Sequence, residues 1–275
     1  MKALIKQLIP PMAIQIFAKL RRGQLRSRRY SSFADATLAC RNGAYQSNAL
    51  VRVVVEKNSI YEQNLKSNPV LDLSNLGALL SLGIANLNGR LNVLDFGGAG
   101  GHHYTIANIA FGVDHPVRWN VVETAAMAMA AQTRANDRLK FFDNLDAAKA
   151  DLKEVDLVFT SSALQYCPDP LVSLERLANL GARYLFITKT PFLEGSDCII
   201  TVQRSRASDN GPGPMPEGFS DGDVTYPITY VSRSTVEEIL RRNYEIRFTT
   251  AEGSGVFGFR AKSITMTGYF CVRRH

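Results

Sequence analysis

Cysteine is scarce and scattered: Cys40, Cys167, Cys198 and Cys271 never form a C-x-x-C pair. That spacing argues against a zinc ribbon or a disulfide framework, predicts no metal site, and fits a reducing cytoplasm. No acidic residue precedes Asp35. No apolar run is long enough to span a bilayer; the candidate, Leu8 to Ala18, is broken by Pro10-Pro11 and runs into positive charge without a small-residue cleavage site, unlike an export signal. An Arg-rich, acid-free start is also the composition of an organellar transit peptide. Low-complexity tracts and internal repeats are missing as well. These absences leave a folded soluble protein of ordinary composition.

The charge that is present is unevenly placed. Eight of the 32 basic residues precede Asp35, leaving 24 against 25 acidic ones, so the net charge of +7 belongs to an N-terminal arm and the body is nearly neutral. With no broad basic face outside the arm, a nucleic-acid partner is not expected. At 275 residues the chain suits one α/β domain with helical additions.

Three regions follow the arm (1–30). Residues 31–90 read as a helical extension. Within it Asn48–Leu65 and Leu71–Leu87 carry apolar residues at three- and four-residue spacing, and before it Pro11 suits the first turn of a helix running to about Arg22. From 91 to about 190, strand-like runs (Leu91–Phe96, Arg118–Val122, Leu139–Phe142, Val155–Thr160, Tyr184–Thr188) alternate with helix-like stretches (His102–Phe111, Ala125–Arg138, Leu171–Leu180). Continuous apolar strands between helices predict a parallel, doubly wound sheet. A polar, Gly/Pro-rich stretch from Glu194 to about Tyr226 then reads as an irregular loop at about 194–230. A helix with capping-box spacing at Ser234–Glu237 and two strands, Tyr244–Thr249 and Ser263–Val272, complete the pattern.

In Val93-Leu94-Asp95-Phe96-Gly97-Gly98-Ala99-Gly100-Gly101, a strand enters a glycine cluster and a helix follows. Glycine there permits positive φ and close approach of a ligand, and the helix start offers free N–H groups to a negative group. The dinucleotide fingerprint G-x-G-x-x-G fails from either start: begun at Gly98 it meets His103, begun at Gly97 it meets Ala99 and His102. No Gly-Lys-Ser/Thr of a phosphate-binding loop occurs.

Asp95, Gly97, Ala99 and Gly101 instead form D-x-G-x-A-x-G, which resembles motif I of class I S-adenosylmethionine-dependent methyltransferases, and Glu123 ends the second strand where that family places a ribose-binding acid. Leu94 to Gly98 also resembles a bacterial methyltransferase family associated with surface-polysaccharide genes, in which Ala99 departs from the commoner glycine. The resemblance covers about 91–190. It implies a doubly wound, Rossmann-like sheet, mostly parallel with an antiparallel last strand, behind an N-terminal helical extension, so that 91–275 is the methyltransferase domain. It implies S-adenosyl-L-methionine as cofactor. Asp95 would orient the ligand's amino group. Gly97, Gly98, Ala99 and Gly101 would line its methionine and ribose, and Glu123 would hold the ribose. Asp143 or Asn144 would lie near the adenine amine, and Ser161 and Ser162 beside the sulfonium. The plainer readings are a tight turn for the glycines, a turn for Asp143 and a helix cap for the serines.

Ligands of open α/β sheets bind beyond the carboxyl ends of the strands. The acceptor-site candidates are therefore His102 and His103 (a base, or a cap and a packed ring), Tyr166 (pocket wall, or packing) and Lys189 (partner of an anionic acceptor, or a solvated surface cation). Ser162-Ala163-Leu164-Gln165-Tyr166 replaces the Asn/Asp-Pro-Pro-Tyr/Phe of amino-methylating nucleic-acid enzymes. A small or lipid-linked hydroxylated acceptor, such as a saccharide, is expected. The arm, residues 1–29, has a basic stripe (Gln15, Lys19, Arg22, Arg26) suited to peripheral contact with the inner face of a membrane. The competing expectations are an NAD(P)-dependent oxidoreductase, which lacks its Tyr-x-x-x-Lys pair here, and a non-catalytic scaffold at the membrane.

Overall fold

The computed structural model describes residues 28–40, 47–87, 89–195, 197–253 and 264–274. The helix expected from Pro11 to Arg22 and the basic stripe lie outside the described residues.

Short polar caps start the N-terminal helices. Ser32 Oγ accepts the Asp35 N–H at 3.1 Å to open α1 (Phe33–Ala39). Ser47 caps α2 (Asn48–Ser67), which buries Leu50, Val51, Val54, Asn58 and Leu65 along one stripe. Val51, Val53, Val54 and Val55 are poor helix formers, so α2 depends on packing rather than propensity. A 3-10 turn at Leu73–Asn75 leads into α3 (Leu76–Ala85), shortening the single helix expected from Leu71 to Leu87.

The sheet is built from β1 (Leu91–Phe96), α4 (His102–Phe111), β2 (Val117–Val122), α5 (Ala125–Ala131), β3 (Leu139–Phe142), α6 (Leu145–Leu152), β4 (Leu157–Ser161), α7 (Pro170–Ala178) and β5 (Tyr184–Leu193). These five strands pair in parallel in the order β3-β2-β1-β4-β5. β6 (Ile199–Arg206) and β7 (Asp223–Ser232) follow, then α8 (Arg233–Asn243), β8 (Tyr244–Gly253) and β9 (Ile264–Arg273). β9 runs antiparallel to β5, and β8 antiparallel to β9. The main sheet thus reads β3-β2-β1-β4-β5-β9-β8 with β9 alone reversed, the Rossmann-like doubly wound arrangement. Its order switches direction between β1 and β4, the place where such sheets leave a crevice.

Each face carries its own core. Leu91, Val93, Trp119, Phe159 and Phe186 pack under α2, α3, α4 and α5, while Leu94, Val158, Leu185 and Ile187 pack against α6, α7 and α8. Each such fully buried side chain contributes about 1.5–3 kcal/mol of transfer free energy.

The third region departs from expectation. Part of the supposed irregular loop is an antiparallel hairpin, β6 with β7, joined to the end of β5 through Phe192↔Val231 and Leu193↔Ser232. β6 is half polar (Gln203, Arg204, Ser205, Arg206), and Pro227 reads as a strand breaker, so neither carries a plain strand signature. β5 runs past Thr188 to Leu193 by means of a bulge that leaves Lys189 at φ +52°. The cap of α8 is Ser232 rather than Ser234, and Glu237 serves an ion pair with Arg233 instead of a capping box.

Candidate functional site

The glycine loop is tight enough to dictate its own sequence. Gly97, Ala99 and Gly101 have φ of +74°, +50° and +81°. A Cβ at Gly97 would lie 2.1 Å from the Ala163 Cβ, one at Gly98 2.3 Å from Asp95 Oδ2, and one at Gly100 2.7 Å from Asn58 Cγ. The Gly97 N–H donates to the Val122 carbonyl at 2.8 Å, continuing the ladder beyond β1. α4 then begins at His102 without a side-chain cap.

Asp95 lies beneath this loop and outside the cavity described next. It is fully buried, accepts the Trp119 indole N–H at 3.0 Å, and approaches His103 Nδ1 at 3.9 Å. Burial pushes its carboxyl up to about 7; the indole bond opposes that and the Glu123 charge adds to it.

A cavity of about 540 Å³ opens at the carboxyl ends of the central strands. Gly97 and Glu123 border it after β1 and β2, Asp143 after β3, and Ser162 and Tyr166 after β4. Glu123 links strand and loop: its Oε1 accepts the Ala99 N–H at 3.0 Å and its Oε2 the Thr124 N–H at 2.9 Å. Burial raises its carboxyl pKa, and the two backbone donors hold it down. Ser162, at φ +54°, accepts from Gln165 Nε2 at 3.0 Å.

Two expected residues stand apart. Asn144 is exposed and its Oδ1 caps α6, accepting the N–H groups of Asp146 and Ala147 at 2.9 and 3.0 Å. Ser161 ends β4 beside the cavity without lining it.

The expected acceptor residues divide into two groups. Tyr166 lines the cavity. His102, His103 and Lys189 do not, and they cluster instead: the imidazole centroids are 3.8 Å apart and His103 rests 4.5 Å from the Phe159 ring. Burial, with the Lys189 charge, lowers His102 to about 3 and His103 well below the usual imidazole range, so both rings are neutral. Burial also lowers the Lys189 ammonium, while Glu252 and Asp72 pull it back up. Glu252 in turn accepts from the Thr188 hydroxyl and the Lys189 N–H, fixing the bulge. Lys189 is therefore a partly buried cation with acidic neighbours rather than a solvated surface group.

Several residues that shape the site had no place in the expectation. Arg134, only 7% exposed, donates to the Gly100 carbonyl (2.8 Å), Ser59 Oγ (3.0 Å) and Glu62 (2.7 Å), clamping α2 to the glycine loop. Phe33 and Thr37 of α1, Cys40 at its C-terminal cap, and Tyr226 and Pro227 of β7 close the cavity far from the motif in sequence. The Ser32-x-x-Asp35 cap signals α1, but nothing local announces that α1 reaches this crevice.

No protein-family model matches the chain, and no curated protein matches it. Solved structures do. The N-terminal domain of EvdMO1, in the presence of S-adenosylhomocysteine and D-fucose, aligns at 14% identity over 74% of this chain and 85% of that one, with a TM-score of 0.45. CalS10, an S-adenosylmethionine-bound amino pentose methyltransferase of Micromonospora echinaspora, aligns at 15% identity over 78% and 97%, TM-score 0.45. The sugar N-methyltransferase KedS8 of Streptoalloteichus sp. aligns at 14% identity over 78% and 93%, TM-score 0.45. The strand order of the chain itself, rather than these likenesses, assigns the fold.

Proposed function

We propose that the chain is an S-adenosylmethionine-dependent methyltransferase acting on a hydroxyl oxygen of a small or lipid-linked acceptor, a saccharide being the favoured class. The observation that carries the reading is Glu123, which borders the cavity from the end of β2 while accepting the Ala99 N–H of the glycine loop at 3.0 Å. A carboxylate in that position has acceptor capacity left for the two hydroxyls of a ribose.

The residues present fit the cofactor. The backbone of Gly97 is laid open to the cavity. Asp143 would accept from the adenine amine, a role left to it because Asn144 is engaged as a cap. Ser162 would border the sulfonium. Asp95 supports the loop from below and acts on the ligand through it. The bound cofactor supplies a methyl group already activated for in-line displacement, so the protein's work is to orient the acceptor and exclude water. His102, lowered to about 3 by burial and set apart from the cavity lining, is too weak a base and too far from the cavity wall to take the hydroxyl proton, so it is not proposed as the base.

A dinucleotide fits less well. The third fingerprint glycine, which allows close helix–strand packing, is replaced by His103, whose buried ring is wedged between Asp95 and Phe159 under the start of α4. The test of methyl transfer is incubation with methyl-labelled S-adenosylmethionine and a saccharide or glycolipid extract. Label recovered in an alkali-stable ether supports oxygen methylation; label absent from every fraction despite cofactor binding favours the scaffold reading.

The basic arm is the second part of the proposal: residues 1–29 dock on anionic membrane, each basic residue near the surface adding about 1 kcal/mol. Among the described residues no helix is long and apolar enough to cross a membrane. Deleting 1–29 should abolish binding to anionic vesicles at low salt while leaving cofactor affinity intact. A full-length protein that ignores such vesicles contradicts it.

A further inference from the structure

The cavity has two chemically different ends. Among the described residues, the charged groups that border it are Glu123, Asp143 and Arg176. The first two follow β2 and β3; Arg176 is carried by α7, which packs on the Tyr166 turn and β7, but its guanidinium reaches to 3.7 Å from Asp146 of α6, so the charged ends of all three gather on the β3 and α6 side. The other end is walled by Phe33 and Thr37 of α1, Cys40 just after it, Tyr166 after β4, and Tyr226 and Pro227 from β7. None of these six carries a charge.

That end is built rather than incidental. α1 packs on both β6 and β7. The Tyr166 and Tyr226 rings meet edge to face at 5.1 Å and 86°. Their hydroxyls are tied back to β6: Tyr166 donates to Gln203 Oε1 at 3.3 Å, Gln203 Nε2 to the Tyr226 oxygen at 3.3 Å, and the Tyr226 hydroxyl to Ser205 Oγ at 3.1 Å. With the oxygens so held, the rings offer carbon surface to the cavity. Burial raises the Tyr226 phenol pKa, which keeps that oxygen uncharged.

We propose that the uncharged end, between α1 and β7, receives the methyl acceptor, and that the accepting moiety is neutral, with an apolar face laid against Tyr166 and Tyr226 and hydroxyls directed away from them. This rests on the cofactor reading above, which assigns the charged end to the adenosine. A carboxylate or phosphate here would be desolvated with no cation beside it among the described residues, which disfavours a charged acceptor. Lys189, the cation that the sequence offers for an anionic acceptor, does not line the cavity. A pyranose ring and an aromatic alcohol both present a neutral face with a hydroxyl, and the two are separated by experiment.

The test is saturation-transfer NMR on the protein loaded with S-adenosylhomocysteine, with phenyl β-D-glucopyranoside, phenyl β-D-glucuronide and benzyl alcohol as probes. The glucoside or the alcohol, or both, should receive saturation, and the one that does identifies the source of the neutral face. The glucuronide should bind at least tenfold more weakly than the glucoside. Tyr226→Ala should weaken the neutral probe at least fivefold with less than a twofold change in S-adenosylhomocysteine affinity, whereas Tyr226→Phe should retain it. Thr37→Arg, placed on the exposed face of α1, should reverse the preference in favour of the glucuronide. A glucuronide that equals the glucoside, a Tyr226→Ala variant with unchanged probe binding, or a loaded protein that contacts none of the probes overturns the proposal. Failure to bind S-adenosylhomocysteine at all overturns the cofactor reading itself, and is recorded before any probe is added.

Discussion

Arg134 Nε donates to the Gly100 carbonyl at 2.8 Å while the same guanidinium reaches Glu62 on α2 at 2.7 Å. The N-terminal extension is therefore fastened to the glycine loop by one buried side chain. Arg134→Met should destabilise the protein by about 1–2 kcal/mol, because it removes the side-chain donor to the buried Gly100 carbonyl and leaves Glu62 with Lys66 as its remaining cation. Chemical denaturation measures this. Unchanged stability would show that α2 is held by its apolar stripe alone.

The loop glycines are not equivalent. Gly97→Ala would drive a Cβ to 2.1 Å from Ala163 at φ +74°, and should cost about 2–4 kcal/mol. Ala99 already carries a side chain at φ +50°. Ala99→Gly should change stability by less than about 1 kcal/mol, since relief of strain and added chain entropy oppose each other. Paired thermal melts of the two variants test the distinction; equal losses would contradict the loop geometry.

The main sheet was legible in the sequence because its signals are local. β1, β3 and α4 fall on the residues that periodicity marks, and Asp95 to Gly101 announces the turn between them. The β6–β7 hairpin was not, since β6 is half polar and Pro227 sits inside β7. Nor could sequence tell that Asn144 is a helix cap while its neighbour Asp143 faces the cavity, or that the His102 and His103 rings turn together into the protein, His103 against Phe159, because nothing local in those adjacent pairs sets the direction of each side chain. Arg134, reaching across to α2, is a tertiary fact with no motif behind it.

Asp95 gives a pH signature. Its folded pKa of about 7 stands above the unfolded value of 3.8, so the folded state binds the extra proton between them and Asp95's contribution falls as pH rises through that window. His102 and His103, lowered in the folded state, act in the opposite direction below their ordinary pKa of 6.5. The informative quantity is thus the difference between the wild type and Asp95→Asn, which keeps an acceptor for Trp119. Wild-type stability relative to the variant should decline from pH 4 to pH 7; a flat difference would mean that Asp95 ionises normally.

Glu123→Gln should weaken S-adenosylhomocysteine by about 1.5–3 kcal/mol through loss of charge-assisted bonds to the ribose. Backbone donors to its neutral oxygen would still be served in part, so thermal stability should fall less than ligand affinity. An unchanged dissociation constant would remove Glu123 from the ribose site.

The most direct measurement is calorimetric titration of the purified full-length protein with S-adenosylhomocysteine, S-adenosylmethionine, NADH and NADPH in parallel. The cavity beside Gly97, Glu123 and Asp143 predicts saturable binding of the first two at one site and none of the nicotinamides. Tight NADH or NADPH binding with no heat from S-adenosylhomocysteine would contradict it.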